Sequence, residues 1–251
     1  DPSDIALNIG LAEKAGLPLG DWPTTWDELG EWGAKGSIWD GDAMTQGGIG
    51  MGIYENQWIH GVFNRWAALL KMSGGKILSD GNTGDIAFNS AAGANGLQVY
   101  HDLYNKYKVA DSKFIPDLTA LLGDKSVMAM ASGNWERKLL EEILTPPELI
   151  GKMKLEYFPL PGIDGPAETN ADIATWGSFS QDPEKAEVSW MLLDALHNYY
   201  RDAEKPIGAG NYVPWHIGNE NKEPWTTDSH WLSTIPTLLN SKFLPRNETS
   251  T

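Results

Sequence analysis

The 251-residue chain is long enough for one large domain or two small ones, and 41% apolar and 21% charged residues are typical of a folded globular protein. Its 34 acidic and 19 basic side chains give a formal charge of -15, which disfavours nucleic acid and anionic lipid surfaces as partners. The absence of cysteine excludes disulfides, thiolate metal sites and cysteine nucleophiles.

The beginning of the chain predicts a strand and two helices. IALNIGLAEKAGL indicates a short strand followed by a short helix that ends at Gly16. In PTTWDEL, threonines precede two acidic residues, which is typical of an N-capped helix with acids in its first turn. We expect Leu29 and Trp32 of this helix to face its core.

The next segments continue the alternation of strands and helices. They predict a strand around residues 49–53, an amphipathic helix over residues 58–72, and two strands joined by a turn in KILSDGNTGDIAFNS. AAGANGLQVYHDLYNKYK predicts a long helix. Its apolar stripe consists of Leu97, Tyr100, Leu103, Tyr104 and Tyr107.

The second half of the chain follows the same pattern. SVMAMAS, KLEYFP and DIATWGSFS predict strands, and helices are expected around residues 118–122, after Trp135 and around residues 231–240. DPEKAEVSWMLLDALHNYY predicts a helix capped by Asp182. Three tryptophans at helical spacing are predicted to be core residues: Trp66, Trp190 and Trp231. The alternation as a whole indicates an α/β fold.

Motifs for catalysis are largely missing. The five histidines have no metal-ligand spacing, so no metal site is predicted. Ser132 precedes a glycine but lacks the rest of a G-x-S-x-G elbow. Paired carboxylates for glycoside hydrolysis remain possible, because the spatial separation of the 34 acids is not visible in a sequence.

Tryptophan is unusually abundant, with 12 residues, and several lie beside Gly or Pro, where loops are expected. Neutral sugars pack their C–H faces on such rings and pair their hydroxyl groups with polar side chains. This composition therefore fits carbohydrate binding, for which no cofactor is needed.

A series of segments resembles one family in order and spacing. LAEKAGL with WPTTWDEL, FNRWAALLKMSGGKIL, DIAFNSAAGANGLQVYHDLYNKY, LLGDKSVMAMASGNW, EYFPLPG, the segment from IATWGSFS to LLDAL, and KPIGAGNYVP together cover nearly the whole chain. They resemble the extracellular solute-binding proteins of sugar ABC transporters, the family that includes maltose-binding proteins.

The resemblance implies a periplasmic-binding-protein type II-like α/β fold, mostly its second lobe. Residues 1–155 would form the main part of lobe two, residues 156–203 a strand-strand-helix segment of lobe one, and residues 204–251 a return to lobe two. The chain would lack the N-terminal part of lobe one. The apolar side of the predicted helix with Trp190, Leu193 and Leu196 would then lie without its expected partners.

Candidate ligand contacts follow from the same resemblance, since the family binds its ligands in loops that line the cleft between the lobes. Trp135, beside Asn134 in the matched G-x-W position, is the first candidate for stacking on a sugar ring. The others lie on the lobe-one side, at the mouth of a helix and in the re-entry loop: Trp176, Trp58, His60, Asn211, Tyr212 and Trp215.

The implied function is capture of a neutral mono- or oligosaccharide outside the cell for an ABC permease, without catalysis or cofactor. The protein would be periplasmic or lipid-anchored at the outer face of the cell membrane, with its export signal outside this chain, which has no apolar run long enough to span a bilayer. The alternatives are a glycoside hydrolase that uses cleft carboxylates and a binding protein for a non-sugar solute such as a polyol or a cationic peptide.

Overall fold

The central element is a five-stranded sheet with the strand order β2-β3-β4-β1-β5. The structure is a computed structural model, and it describes residues 3–50, 58–79, 85–111, 113, 125–132, 154–163, 167–168, 170–171, 178–202, 221, 223, 225–240 and 242–243. The strands of the sheet are β1 (Ser3–Asn8), β2 (Ile38–Asp40), β3 (Ala43–Gly50), β4 (Ser126–Ser132) and β5 (Leu155–Pro159). A separate parallel pair consists of β6 (Asn170–Ala171) and β7 (Lys242–Phe243).

The sheet is mixed, because β3 and β4 are parallel whereas β1 is antiparallel to both β4 and β5. Ile5 of β1 lies opposite Met130 of β4 and Phe158 of β5. β2 forms an antiparallel hairpin with β3 at one edge. The α/β architecture predicted from the sequence is confirmed.

Six helices are found among the described residues: α1 (Ile9–Lys14), α2 (Trp26–Gly36), α3 (Trp58–Met72), α4 (Ala91–Asn105), α5 (Pro183–Asp202) and α6 (Ser229–Asn240). The N-cap of α2 is Thr25, whose hydroxyl accepts from the Glu28 backbone N–H at 3.1 Å, and the Glu28 carboxylate accepts in return from the Thr25 N–H at 3.1 Å. This reciprocal capping box explains why the helix begins at Trp26.

The two faces of the sheet are covered by different helices. Ile5, Leu7 and Phe158 belong to a buried apolar cluster that also contains side chains of α2, α3 and α4. Asp4 alternates with Ile5 along β1, so it points to the opposite face, where it contacts His230 of α6. The sheet is thus enclosed between α6 and the helices of the first half of the chain.

Helix α2 approaches β3 more closely than side chains would allow. A Cβ atom on Gly48 would overlap the carbonyl oxygen of Gly33, and one on Gly33 would press against Val109 and Ile49. Both positions therefore require glycine, and the contact brings the α2 backbone directly onto the sheet.

Helix α5 differs from the others in its exposure. Trp190 is 59% exposed and Met191 is 66% exposed, while Leu193 and Leu196 are half-buried. The prediction that Trp190 is a core residue is therefore wrong, because no other element among the described residues covers this side of α5. Of the three residues expected on an uncovered apolar side of this helix, Trp190 is exposed, whereas Leu193 and Leu196 are half-buried.

The other residues that were predicted to face the core agree with the structure in part. Leu29, Trp32 and Trp231 are buried as expected, and Trp66 is half-buried. Leu97 is 55% exposed, so its place in the apolar stripe of α4 was wrong.

Some predicted elements are found only in part or lie outside the described residues. In the described part of KILSDGNTGDIAFNS, residues 76–79 and 85–90, the predicted strand pair is represented by one bridge, between Leu78 and Ile86. The helices predicted around residues 118–122 and after Trp135, and residues 172–177 of the strand DIATWGSFS, fall outside the described residues.

Candidate functional site

Several strand ends meet at one edge of the central sheet. Gly50 of β3 lies opposite Ala129 of the parallel strand β4, so both strands point their carboxyl ends to the same edge. The antiparallel pairs Ser3 with Ser132 and Asp4 with Pro159 place the beginning of β1 and the end of β5 there as well. Carboxyl ends of neighbouring parallel strands are where α/β sheets bind ligands.

Two of the predicted site segments begin at this edge. Asn134 and Trp135 follow Ser132, the last residue of β4, by two and three positions. Trp58 is the first residue of α3, eight residues after Gly50, and His60 lies in the first turn of the same helix. The sheet therefore brings together the origins of the two segments that carry Trp135 and Trp58.

The side chains of the predicted contacts are not placed by the structure. Those of Trp58 and His60 are not described, although the backbone of both lies in α3. The other six positions fall outside the described residues: Asn134, Trp135, Trp176, Asn211, Tyr212 and Trp215. All eight contacts stay predictions.

A buried arginine near this edge was not anticipated from the sequence. Arg65 of α3 is only 2% exposed, and its Nη2 donates to the carbonyl oxygen of Met130 in β4 at 2.9 Å. A charge inside an otherwise apolar helix face was the available signal, since Ala68 and Leu69 follow Arg65 one turn later and are buried.

The charge of Arg65 affects the pKa of two tyrosines of α4. Burial raises the pKa of both Tyr100 and Tyr104, and the positive charge of Arg65 acts in the opposite direction on each phenol. The rings of Tyr100 and Tyr104 stack with their centroids 5.8 Å apart. Arg65 thus lies where α3, α4 and the end of β4 come together.

A second buried polar group joins α6 to the sheet. Oδ2 of Asp4 lies 2.9 Å from Nδ1 of His230 and 3.1 Å from the Ser233 hydroxyl oxygen. All three residues are at most 3% exposed. The Ser233 hydroxyl contacts the carboxylate of Asp4 and the backbone carbonyl of His230. These are not the contacts of a serine nucleophile that is activated by an imidazole.

Metal ligands and membrane-spanning helices were both considered for the described residues. These residues contain no group of three or more His, Asp or Glu side chains arranged to hold a metal ion. None of the described helices has the combination of length and hydrophobicity that crossing a bilayer would require.

Comparison with known proteins gives similarity in structure rather than in sequence. Neither a family model nor a curated protein matches the chain. Three similar solved structures are a solute-binding protein of Thermotoga lettingae bound with alpha-D-tagatose (23% identity, TM-score 0.66), a substrate-binding protein of Listeria monocytogenes in complex with cycloalternan (16%, 0.69), and maltose-bound MalE3 of T. maritima (22%, 0.62).

The three superpositions include 97% of this chain but only 59–60% of each solved structure. The structural neighbours are solute-binding proteins of sugar ABC transporters, which confirms the resemblance noted in the sequence. At these identities the likeness shows the fold, a partial periplasmic-binding-protein type II architecture.

Proposed function

We propose that the chain is the extracytoplasmic binding component of an ABC importer and captures a neutral mono- or oligosaccharide. The observation that carries this proposal is its structural likeness to sugar-binding proteins along 97% of its length. The permease, the cleft between two lobes and a location outside the cytoplasm are implied by the same likeness. Closure of the lobes around the sugar would be the only mechanism, and no bond would be broken.

The sugar would bind at the carboxyl edge of β3 and β4. Segments that begin there carry Trp58, His60, Asn134 and Trp135, which offer two rings for stacking and two polar groups for hydroxyls. Trp176 and the segment with Asn211, Tyr212 and Trp215 would complete the site. In this proposal Trp176 faces the first group across the cleft from the lobe-one side, whereas the segment with Asn211, Tyr212 and Trp215 belongs to the return to lobe two.

The division into lobes is part of the proposal. Residues 1–155 and 204–251 would belong to lobe two and residues 156–203 to lobe one. Strand β5 spans the first boundary and pairs with β1 in the central sheet, so a crossing to another lobe would follow Pro159. Helix α5 would then be the main lobe-one element of this chain.

Binding is tested by titrating the protein with tagatose, maltose and cycloalternan while tryptophan fluorescence and released sugars are both measured. We expect at least one sugar to change the fluorescence and to be recovered intact. Cleaved sugar would contradict a transport role and support a glycoside hydrolase, whereas no response to any sugar would favour a non-sugar solute.

The location of the site is tested by Trp135→Ala, which we expect to weaken sugar binding by about tenfold through loss of ring stacking. The matched control is Trp39→Ala. Trp39 is 37% exposed and lies in β2 opposite Met44, near the amino end of β3 and thus far from the proposed edge. Equal affinities of the two variants would overturn the proposed location.

A further inference from the structure

One exposed side of α5 is a continuous apolar stripe. It consists of Val188, Met191, Leu192 and Ala195, which recur at helical spacing and therefore lie on one side of the helix. The three larger residues are 64%, 66% and 60% exposed, and Ala195 is exposed as well. Leu193, on the opposite side, is half-buried. Helix α5 is thus partly covered along one side and turns this stripe to solvent.

The exposed apolar area is large enough for a weak contact between proteins. Phe179, three residues before the cap residue Asp182, is 95% exposed and adds a ring just before the start of the helix. Large apolar side chains present about 150–250 Å² each when free, so the stripe and Phe179 offer on the order of 500 Å² per copy. Contact between two such surfaces would remove about 1,000 Å² from solvent, which is near the lower limit for a specific interface.

The stripe has the same spacing in both directions along the helix. The steps from Val188 to Met191, to Leu192 and to Ala195 are three, one and three residues. An antiparallel second copy of α5 would therefore place its Leu192 opposite Met191 and its small Ala195 opposite Val188. None of the four positions carries a charge that such a contact would bury. A two-fold symmetric dimer requires a surface that is complementary to itself in this way.

We propose that α5 is a dimerisation surface, on which two copies of the chain pack antiparallel along this stripe. The occupant is a second copy because the stripe is complementary to itself and its area is that of a weak dimer. Each copy carries a formal charge of -15, so repulsion opposes the association and added salt strengthens it. The inference goes beyond the proposed function and does not rest on it, since none of the predicted sugar contacts lies in α5.

The first test is sedimentation equilibrium over a range of protein concentrations. The interface predicts a dissociation constant on the order of 10–100 μM. The molar mass should therefore rise from 27.6 kDa in dilute solution toward twice this value at high concentration. Below about 1 μM the protein should be a monomer in which the stripe is exposed.

Two matched variants of α5 locate the interface. Leu192→Glu places a charge at the centre of the stripe and should weaken the association at least about tenfold, because the carboxylate would have to be desolvated. Trp190→Glu is the control, since Trp190 is 59% exposed on the same helix but lies about 160° around it from Leu192. It should leave the dissociation constant within about twofold of that of the wild type. Both residues are exposed, so both variants should keep the melting temperature of the wild-type monomer.

Disulfide cross-linking tests the antiparallel arrangement, and the absence of cysteine from the chain makes it specific. With oxidised glutathione, Val188→Cys combined with Ala195→Cys should give a covalent dimer, because the two positions oppose each other between copies. Val188→Cys alone should not, because its two sulfurs would be held roughly 10 Å apart along the helices, beyond the reach of a disulfide. Cross-linking by the single variant but not by the double would contradict the antiparallel packing.

The outcomes decide the proposal without reference to sugar binding. A molar mass that stays at 27.6 kDa at every concentration, in low and high salt, would overturn it and assign the stripe to a different polypeptide. Equal weakening by Leu192→Glu and Trp190→Glu would show that the copies do not associate through the stripe. An association that salt weakens would likewise contradict an apolar contact between two acidic chains.

Discussion

Helices α2 and α5 have similar local sequence signals but opposite surroundings. Each begins at a capping side chain, Thr25 for α2 and Asp182 for α5, where the Asp182 carboxylate accepts from the Glu184 N–H at 3.0 Å. The large apolar side chains of α2 are buried, with Leu29 at 0% exposure, whereas Leu192 of α5 is 60% exposed. Caps and periodicity thus specify a helix, and an opposing surface decides whether its apolar side is buried.

The close contact of α2 with β3 illustrates what such an opposing surface requires. Gly33 and Gly48 let the two backbones meet, and Trp32 makes an edge-to-face contact with Phe158 at 6.2 Å between ring centroids. These contacts come from residues far apart in the chain. A comparable set is not seen around α5 within the described residues, which explains the exposure of Trp190.

The largest expected difference between the two helices is the cost of removing an apolar side chain. Leu29→Ala should lower the free energy of unfolding by about 2–5 kcal/mol, because it leaves a cavity in the core. Leu192→Ala should change it by less than about 0.5 kcal/mol, because the side chain is already exposed. Urea denaturation of both variants measures this, and equal losses would show that α5 is covered by a surface in solution.

A smaller difference is expected for the caps. Thr25→Ala should lower the free energy of unfolding by about 1 kcal/mol, through loss of the capping box of a helix that is part of the core. Asp182→Ala removes a similar cap but should speed amide hydrogen exchange in the first turn of α5 without a matching loss of global stability. A global loss as large as that of Thr25→Ala would show that α5 unfolds together with the sheet.

The smallest expected effect concerns the surface link between α2 and the end of α4. The Tyr107 hydroxyl donates to the Asp27 carboxylate at 2.5 Å and Lys106 lies 3.3 Å away, which holds the pKa of Asp27 below its ordinary value of 3.8. A lowered carboxyl pKa stabilises the fold above the unfolded-state pKa, and this contribution is lost as pH falls through the folded-state pKa.

An NMR titration of the Asp27 carboxyl below pH 4 measures this shift. Tyr107→Phe should move the pKa of Asp27 back toward 3.8, because it removes the stronger of the two hydrogen bonds. The effect on stability should be slight, since the Asp27 side chain is 71% exposed to solvent. An unchanged pKa in this variant would show that the hydrogen bond is not formed in solution.

Local patterns sufficed to predict most of the elements. The predicted bounds of α3 agree with the structure, and the cap of α5 at Asp182 is confirmed, because both depend on residues within one or two turns. The sequence also placed β1, β4 and β5 close to their observed positions. Leu97 and Trp190 were predicted wrongly, since helical periodicity identifies an apolar side without identifying what covers it.

The candidate site was predictable only in part. The tryptophans beside glycine and the succession of family-like segments pointed to carbohydrate binding, and the eight predicted contacts stay predictions. Arg65 could not have been found in this way, because its significance depends on Met130, which lies 65 residues later in the chain.

The sequence by itself determined the alternation of strands and helices, their caps and the family-like order of segments, because these signals reside in neighbouring residues. Only the tertiary structure decided that β3 and β4 are parallel neighbours and that the origins of the Trp58 and Trp135 segments meet at one edge. The tertiary structure also showed that Arg65 joins those two segments and that α5 leaves its apolar side exposed. These features depend on contacts between distant parts of the chain, and no local pattern encodes them.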